Sequence, residues 1–445
     1  MNNRSVSVIG AGLAGCEAAF ALAERGIRVR LFEMKPAKKS PAHKSDLFAE
    51  LVCSNSLKAK REDSAAGLLK AEMRKLGSVC LTAADECAVA AGGALAVDRE
   101  RFSSMITDRI RSHPNIEIIS ECVRTLPGEG ICIVATGPLT DDTLAADIAA
   151  RLGSRYLSFY DAAAPIVSGD SIDMESAFFA SRYGKGEGDD YINCPLNKEE
   201  YERFWKELTA AERAPLKEFD QPLTVYEGCM PIEILAARGE DSIRFGPMKP
   251  VGLTDPHTGH RPWAVVQLRR ENAAGTMYNL VGFQTNLKFP EQKRVFSLIP
   301  ALKNAEFLRY GVMHRNSFID SPRLLNPDLS LRADRRLYFA GQLSGVEGYM
   351  ESAASGILAG INAANALSGQ SPLMLPDTTM LGALVGYITN PNTERLQPMG
   401  ANFGLLPPLD ARIKDKRERY GALSKRALSA LDGVLEERSP DGKIV

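Results

Sequence analysis

The chain has 445 residues, a length typical of two or three domains. Hydrophobic residues make up 44% and charged residues 24%, which excludes a disordered or low-complexity chain, and a net charge of −1 excludes a uniformly basic protein but not a local basic surface. We expect a cytoplasmic protein with reduced thiols, because the sequence shows no signal peptide, no apolar run of the ~18 residues that span a bilayer and no paired cysteine spacing.

The N-terminal segment has the pattern of a βαβ unit. A short apolar strand at 6–9 leads into Gly10-Ala11-Gly12-Leu13-Ala14-Gly15, and an Ala- and Leu-rich helix is predicted at 13–25. Gly26 fits the end of that helix, and an alternating strand at 28–32 ends in Glu33. A lysine-containing loop is predicted at 34–49.

The middle of the chain changes character near residue 165. Before it, the pattern predicts helices at 64–76 and 98–110 and strands at 116–119 and 131–134. After it, turns separate strand candidates at 263–268 and 277–283, and Asn197 with Glu200 forms a capping box for a helix at 197–211. A strand at 337–340, Gly341 and a small-residue helix at 351–367 then return to the first pattern.

These patterns predict an α/β fold, with a Rossmann-like FAD-binding domain and an inserted α+β domain. We assign residues 1–165 to the first part of the FAD-binding domain. Residues 166–324 form the inserted domain, which would hold substrate and RNA. Residues 325–445 form the second part of the FAD-binding domain and end in a segment with a basic stretch at 412–426.

The glycine-rich turn predicts a dinucleotide site. Gly10 permits the tight turn, Gly12 lets a pyrophosphate approach the backbone, and Gly15 allows the helix to pack closely on the strand. Glu33 can accept hydrogen bonds from ribose hydroxyls at the end of the second strand. The turns at 136–137 and 341 are similar to those of two-domain FAD enzymes, so FAD is favoured over NAD. The cofactor residues predicted in these turns are Gly10, Ala11, Gly12, Leu13, Ala14, Gly15, Glu33, Met34, Thr136, Gly137 and Gly341.

Longer segments are similar to one known family. The chain resembles the bacterial folate- and FAD-dependent tRNA (uracil-5-)-methyltransferases of the TrmFO type from residue 6 to about residue 408. Besides the glycine-rich turn, the similar segments are AELVCSNSL at 49–57, AGGALAVDR at 91–99, FGPMKPVGL at 245–253, VMHRNSF at 312–318, GVEGY at 345–349 and NFGLLPP at 402–408. The resemblance implies formation of 5-methyluridine in the tRNA T-loop. The carbon would come from 5,10-methylenetetrahydrofolate, and the electrons from NADH or NADPH through reduced FAD.

The chemistry requires a thiolate nucleophile. Carbon 5 of uracil is a poor nucleophile, and addition of a thiolate at carbon 6 activates it. By resemblance, Cys229 is that nucleophile. Cys53 is the second active-site thiol, which removes the carbon 5 proton or guards the flavin adduct. The other cysteines are expected at core or neutral positions: Cys16, Cys80, Cys87, Cys122, Cys132 and Cys194.

The resemblance also extends the expected cofactor site. Gln342, Gly348, Tyr349 and Ser352 would join Gly341 around the isoalloxazine and ribityl chain, and Tyr349 either stacks near the folate pterin or only packs. The cluster formed by His314, Arg315 and Asn316 faces folate or base, or is structural. No metal site is expected, since His257 and His260 lie in a turn without further ligands.

RNA contacts are expected where basic residues cluster. The candidates are Lys35, Lys38, Lys39, Lys44, Arg269, Arg270, Lys414, Lys416, Arg417 and Arg419. In the C-terminal segment a solvated helix face is an equal alternative, because Asp415 and Glu418 interleave with the basic residues. Trp205 and Trp263 are expected to pack in the core.

Three other functions stay open at this point. The same chemistry could act on a ribosomal RNA uridine. A flavin oxidoreductase of a small metabolite would keep the FAD motifs but leave Cys229 unexplained. A non-catalytic RNA-binding factor with a structural flavin is disfavoured by the two cysteines. The oligomeric state cannot be predicted.

Overall fold

The computed structural model describes residues 5–153, 157–184, 189–214, 230–394 and 396–438, with the backbone alone at 157–162 and 314–315. Its elements pack around two large hydrophobic cores. The strands are β1 (Ser5–Ile9), β2 (Arg28–Glu33), β3 (Ser56–Ala59), β4 (Ala88–Val89), β5 (Ala94–Val97), β6 (Ile116–Ser120), β7 (Ile131–Val134), β8 (Leu157–Ala162), β9 (Ile166–Ser168), β10 (Phe178–Phe179), β11 (Tyr191–Leu196), β12 (Ala264–Arg270), β13 (Met277–Leu280), β14 (Phe307–Arg309), β15 (Met313–Phe318) and β16 (Leu337–Phe339). The helices are α1 (Leu13–Ala23), α2 (Ala65–Lys75), α3 (Val79–Glu86), α4 (Arg99–Ser112), α5 (Asp142–Leu152), α6 (Lys198–Ala210), α7 (Ile232–Ala236), α8 (Phe289–Phe296), α9 (Ser321–Leu324), α10 (Tyr349–Leu367), α11 (Met380–Ile388) and α12 (Lys416–Arg438).

The first core surrounds a five-stranded parallel sheet with the order β16-β7-β1-β2-β6. The apolar runs predicted at 6–9, 28–32, 116–119, 131–134 and 337–340 supply these five strands. Val6 and Val8 of the central strand are fully buried, as expected for a parallel sheet that is covered on both faces. The predicted Rossmann-like fold class is therefore confirmed.

Helices α1 and α10 cross at very close range in this core. A Cβ atom at Gly356 would lie 2.2 Å from the carbonyl oxygen of Ala14, and one at Gly360 would lie 2.7 Å from that of Ala18. Only glycine permits such an approach of two backbones. The close packing brings the N-termini of both helices to the same edge of the sheet.

The second core surrounds a six-stranded antiparallel sheet with the order β10-β11-β12-β13-β9-β14. Helix α6 lies on it through Tyr201, Phe204 and Leu208, and it begins with the predicted capping box of Asn197 and Glu200. The chain passes between the two cores at the antiparallel pair β8–β15. The domain limits at 165 and 324 stay a prediction.

Sequence periodicity located several elements and missed others. The helix predicted at 13–25 ends at Ala23, and the one predicted at 351–367 begins at Tyr349. Helix α12, which was predicted only as a basic stretch, buries Leu423, Ala427 and Leu431 at helical spacing. Within the part of the chain that the structure describes, no helix is long and apolar enough to cross a membrane.

Candidate active site

A cavity of about 470 Å³ opens at the carboxyl ends of β1, β2, β7 and β16. This is the edge of a parallel sheet at which ligands of doubly wound folds bind. All the predicted cofactor residues line the cavity except Ala11 and Gly15. The other walls come from the segments at 42–58, 121–123 and 135–144, and from Gln284 and Asn316 of the region between the cores.

Ala11 and Gly15 support the cavity from behind. A Cβ atom at Gly15 would lie 1.7 Å from the carbonyl oxygen of Gly10, so no larger residue fits there. The backbone N–H of Ala11 donates to Glu33 Oε2 at 2.8 Å, and the N–H of Lys35 donates to Glu33 Oε1 at 3.0 Å. Glu33 is buried and lines the cavity, so its carboxylate is held in one orientation toward the space where a ribose would lie.

The residues of this wall fit a dinucleotide. Apart from its neighbours in the same turn, no atom of the described residues lies within 4 Å of the position that a Cβ atom would take at Gly12, so this face of the turn is open to a ligand. Gly12 and Gly348 are the N-cap residues of α1 and α10, and as glycines they provide no side chain to cap the first N–H groups. The carboxylate of Glu351 lies in the first turn of α10 and pairs with Lys58. Two uncapped helix N-termini at one cavity offer partial positive charge to a pyrophosphate and to the electron-rich edge of a flavin.

The far end of the cavity is shaped by the turn before α10. Gly341 has φ +77° and donates its N–H to Ser355 Oγ at 2.7 Å. Gln342 Nε2 donates to Glu347 Oε2 at 2.6 Å. Gly348 has φ +121°, a conformation that L side chains rarely adopt, and this turn directs Tyr349 toward the opposite wall.

Tyr349 joins the two sides of the cavity. Its hydroxyl oxygen accepts hydrogen bonds from the backbone N–H of Cys53 at 2.7 Å and from that of Ser54 at 3.3 Å. Cys53 lies in a loop before β3 and lines the cavity. The turn that holds the expected flavin site therefore also positions the Cys53 loop. Stacking of the Tyr349 ring near a pterin stays a prediction.

Three arginines hold the Cys53 loop from its other side. Arg99 donates to the carbonyl oxygens of Leu51 and Cys53, the latter at 3.1 Å. Arg309 donates to the carbonyl oxygen of Val52. Arg269 donates to Ser54 Oγ at 2.6 Å and to Asn55 Oδ1 at 2.9 Å, while Arg99 also pairs with Glu271 at 2.7 Å.

The electrostatics of these arginines reflect their burial. Burial opposes the charge of Arg99, but Glu271 and further negative groups outweigh it, so the pKa of Arg99 is raised. The pKa of Arg269 is lowered by burial, which Glu271 only partly offsets. The pKa of Arg309 is lowered by burial and then by the neighbouring charge of Arg99.

Five of the six cysteines predicted at core or neutral positions differ from Cys53 in being buried. Burial raises the pKa of each of the six thiols, to about 12 for Cys132. Cys16, Cys80, Cys87, Cys132 and Cys194 are buried, whereas Cys122 is half-buried and lines the cavity. Cys229 lies outside the described residues, so its role stays a prediction.

The polar strand β15 contributes only Asn316 to the cavity as described, and that residue is buried. His314 and Arg315 pair through their backbones with β8, and their side chains lie outside the description. His257 and His260 are exposed in a turn, as predicted. Among the residues described, no cluster of three metal-ligating side chains occurs.

Several expected RNA contacts have other roles. Lys35 and Arg269 are buried, which disfavours direct contact with RNA, and Lys35 Nζ donates to the carbonyl oxygen of Leu47. Lys38 pairs with Asp141 beside the cavity, Lys39 with Asp46, and Arg270 with Asp189 at 3.0 Å. The remaining candidates keep partly or fully exposed side chains: Lys44, Lys414, Lys416, Arg417 and Arg419.

The tryptophans are both partly buried against the second core. Trp205 donates its indole N–H to the carbonyl oxygen of Ala236 at 3.0 Å, which fits the expected packing role. Trp263 lies under the guanidinium of Arg244, whose Cζ is 3.8 Å from the ring centroid. This indole is therefore covered on that face by a cation rather than offered to a base.

Sequence reasoning missed residues from distant segments that line the cavity or hold the Cys53 loop. Lys58 Nζ pairs with Glu351 Oε1 at 2.6 Å, and both residues line the cavity. Arg99, Glu271 and Arg309 were not proposed as site residues either. Arg99 ends one of the segments shared with the resembling family, which was the one available signal. Glu271 and Arg309 carry no local pattern.

Comparisons with known proteins decide the family. The family model described as "Glucose inhibited division protein A" matches residues 5–371. A methylenetetrahydrofolate–tRNA-(uracil-5-)-methyltransferase TrmFO from Pelotomaculum thermopropionicum is 58% identical over 98% of this chain and 99% of its own length. The TrmFO proteins of Acetivibrio thermocellus and Halalkalibacterium halodurans are 58% and 54% identical, each over 98% of this chain.

The chain belongs to the TrmFO family. The identity runs through both cores, so the cavity walls and the Cys53 loop lie within the matched length. Among solved structures, GidA from Aquifex aeolicus superimposes with a TM-score of 0.69 over 97% of this chain and 73% of the GidA chain. At 18% sequence identity this similarity supports the fold of the TrmFO chain and not its reaction.

Proposed function

We propose that this chain is a methylenetetrahydrofolate–tRNA-(uracil-5-)-methyltransferase that forms 5-methyluridine in the tRNA T-loop. The observation that carries the proposal is a single cavity with a dinucleotide wall and Cys53 on facing sides, in a chain that is 58% identical to a TrmFO protein over nearly its whole length. FAD, 5,10-methylenetetrahydrofolate and NADH or NADPH are the cofactors and reductant that follow from this assignment.

The glycine-rich wall would hold FAD. Gly12 and the uncapped start of α1 would take the pyrophosphate, Glu33 the ribose, and the start of α10 the isoalloxazine. When bound, FAD would supply the two electrons that separate a folate methylene from a methyl group. Because the cavity lies between the sheet edge and the Cys53 loop, bound reactants would be shielded from water.

Two thiols of the chain would act on the uracil base during the reaction. Cys229 would add as a thiolate to carbon 6, forming the S–C bond that places negative charge on the ring and activates carbon 5. Cys53 would act at the cavity wall, where Tyr349 and the arginines fix its backbone. The carbon 5 proton must leave before the ring is restored and the Cys229 sulfur departs.

The test supplies labelled methylenetetrahydrofolate, NADPH and unmodified tRNA and measures label in 5-methyluridine. We expect incorporation by the wild-type protein and loss in Cys229→Ala and in Cys53→Ala. Cys194→Ala is the matched control, since this thiol is buried in the second core, outside the cavity lining. No incorporation by folded, flavin-bearing protein would overturn the proposal. Label confined to ribosomal RNA would correct the target, and S-adenosylmethionine as donor would overturn the carbon source.

A further inference from the structure

The buried charges of Arg269 and Glu271 and the half-buried charges of Arg99 and Arg309 do not balance. Arg99, Arg269 and Arg309, which we call the guanidinium cluster, meet at the Cys53 loop, and Glu271 is the carboxylate that pairs with Arg99. Within the described part of the chain, Arg269 and Arg309 form no ion pair with a carboxylate. Three guanidinium charges thus face one carboxylate.

This imbalance is costly unless an anion accompanies it. Arg269 is 7% exposed, Glu271 is 1% exposed, and the side chain of Arg99 is 16% exposed. Water can screen such charges only weakly, so a further negative group stabilises the cluster. None of the three arginines lines the cavity, so a bound ligand is a poor candidate for that group.

The Cys53 loop supplies the missing partner. The carbonyl oxygens of three successive residues, Leu51, Val52 and Cys53, accept hydrogen bonds from the cluster. Their partial negative charges orient the loop, but they do not neutralise the arginines. Cys53 carries the ionisable group of this loop, and an ionised sulfur there would raise the pKa of Arg99, Arg269 and Arg309.

We propose that Arg99, Arg269 and Arg309 are positioning residues that hold the Cys53 sulfur at the cavity wall as a thiolate, with Glu271 limiting the positive charge that the sulfur experiences. The proposal rests on the assignment of Cys53 as an active-site thiol. Only the S–H bond breaks, and its proton leaves to water. A resting thiolate accepts a proton in the reaction rather than donating one, so Cys53 would serve as the base for the carbon 5 proton while Cys229 adds to carbon 6.

The test measures how fast iodoacetamide alkylates Cys53 in the FAD-loaded full chain, followed by mass spectrometry of its peptide. The pH is set where the wild-type protein reacts at about a tenth of its maximal rate, so that changes in both directions are visible. A thiolate, not a thiol, is the nucleophile, so the rate reports ionisation. Removing one cluster charge in Arg99→Gln should slow alkylation about tenfold. Removing the opposing charge in Glu271→Gln should accelerate it severalfold.

Two variants and one control complete the design. Arg99→Lys keeps the charge and should react within about twofold of wild type, while its methyl transfer falls because the fork to Leu51 and Cys53 is lost. Arg309→Gln replaces Arg99→Gln if that variant does not fold. Arg109→Gln on the same helix α4 is the control, since Arg109 pairs with Glu86 outside the cavity lining.

Opposite signs are the decisive result. A merely structural role would make Arg99→Gln and Glu271→Gln change the rate in the same direction, and that outcome would overturn the proposal. Rates equal to that of Arg109→Gln in both variants would overturn it as well. Alkylation needs neither RNA nor folate, so a protein that fails to methylate tRNA but shows opposite signs would refute the proposed function and keep the thiolate.

Discussion

The two walls of the cavity are held by different forces. The wall under β1 and β16 is made of backbone: glycine turns, two uncapped helix N-termini and the N–H groups bound by Glu33. The wall that carries Cys53 is held by side chains, because the guanidinium cluster and Tyr349 form hydrogen bonds to the backbone of one loop. The N–H groups of the first wall offer partial positive charges to a ligand. The arginines of the second wall place full positive charges next to the Cys53 loop of the protein itself.

The two walls should differ in how well they tolerate substitutions. A backbone wall depends on the absence of side-chain atoms, so any added atom harms it. A side-chain wall depends on hydrogen bonds and charges that can be removed one at a time, with graded effects. Substitutions on the first wall should therefore act on folding and cofactor retention, and those on the second on the reaction.

The largest expected effect is at Gly15. In Gly15→Ala the new Cβ would meet the carbonyl oxygen of Gly10 at 1.7 Å, so we expect a loss of about 3 kcal/mol in unfolding free energy and a protein without flavin. Gly12→Ala adds the same atom in open space, so its stability should stay within about 0.5 kcal/mol of wild type. Its FAD affinity should fall about tenfold, since the methyl fills the face offered to the pyrophosphate. Denaturant unfolding and flavin absorbance measure both, and equal stabilities would contradict the backbone account.

An intermediate effect is expected where the walls meet. Tyr349→Phe leaves the ring but removes the acceptor for the N–H groups of Cys53 and Ser54, a loss of about 1–3 kcal/mol at the loop. Methyl transfer should fall about tenfold while FAD content is unchanged. Tyr387→Phe is the control, because that hydroxyl bonds to Gln397 outside the cavity lining. Loss of flavin in Tyr349→Phe would contradict this prediction and show that the hydroxyl supports cofactor binding.

The smallest effect on the reaction is expected outside the cavity, where a buried carboxylate caps the N-terminus of a helix. Glu72 accepts from the N–H groups of Met380 and Leu381 at the start of α11. Burial raises the pKa of Glu72 to about 7 from its ordinary 4.5. The folded state therefore holds the proton more tightly than the unfolded state. The resulting contribution to stability is full below about pH 4.5 and declines by up to about 3 kcal/mol as the pH rises to about 7.

Glu72→Gln cannot titrate, so it tests this sign. Its stability relative to wild type should increase as the pH rises from about 5 to about 8, whatever the constant cost of the altered cap. Thermal unfolding of both proteins across that range provides the measurement. A stability difference that does not vary with pH would show that the pKa of Glu72 is the same in the folded and unfolded states, and would contradict this account.

The sequence predicted one wall much better than the other. Gly10, Gly12, Gly15 and Glu33 lie within one βαβ unit, so their spacing alone placed them at a common sheet edge. Arg99, Arg269 and Arg309 come from three elements in two cores and meet only because β12 and β14 lie behind the Cys53 loop. No local period marks such a meeting, which is why Arg269 was assigned to RNA and Arg309 was not considered.

The sequence also did not show which charged side chains are buried. A cluster of lysines at 35–44 resembles a surface for phosphates, yet Lys35 lies inside and Lys38 is neutralised by Asp141. Charge spacing predicts a patch only when side chains face outward, and this depends on the tertiary packing of the loop. The second core, by contrast, followed from the capping box and the strand candidates because those signals are local.

The contact of α1 with α10 through Gly356 and Gly360 couples the two ends of the dinucleotide wall. With backbone touching backbone, neither helix can slide or rotate without taking the other along. The phosphate end of the wall at α1 and the ring end at α10 therefore move together as one rigid body. We therefore expect that an opening for a large nucleic acid would form on the Cys53 side, where the hydrogen bonds of each arginine can be broken separately.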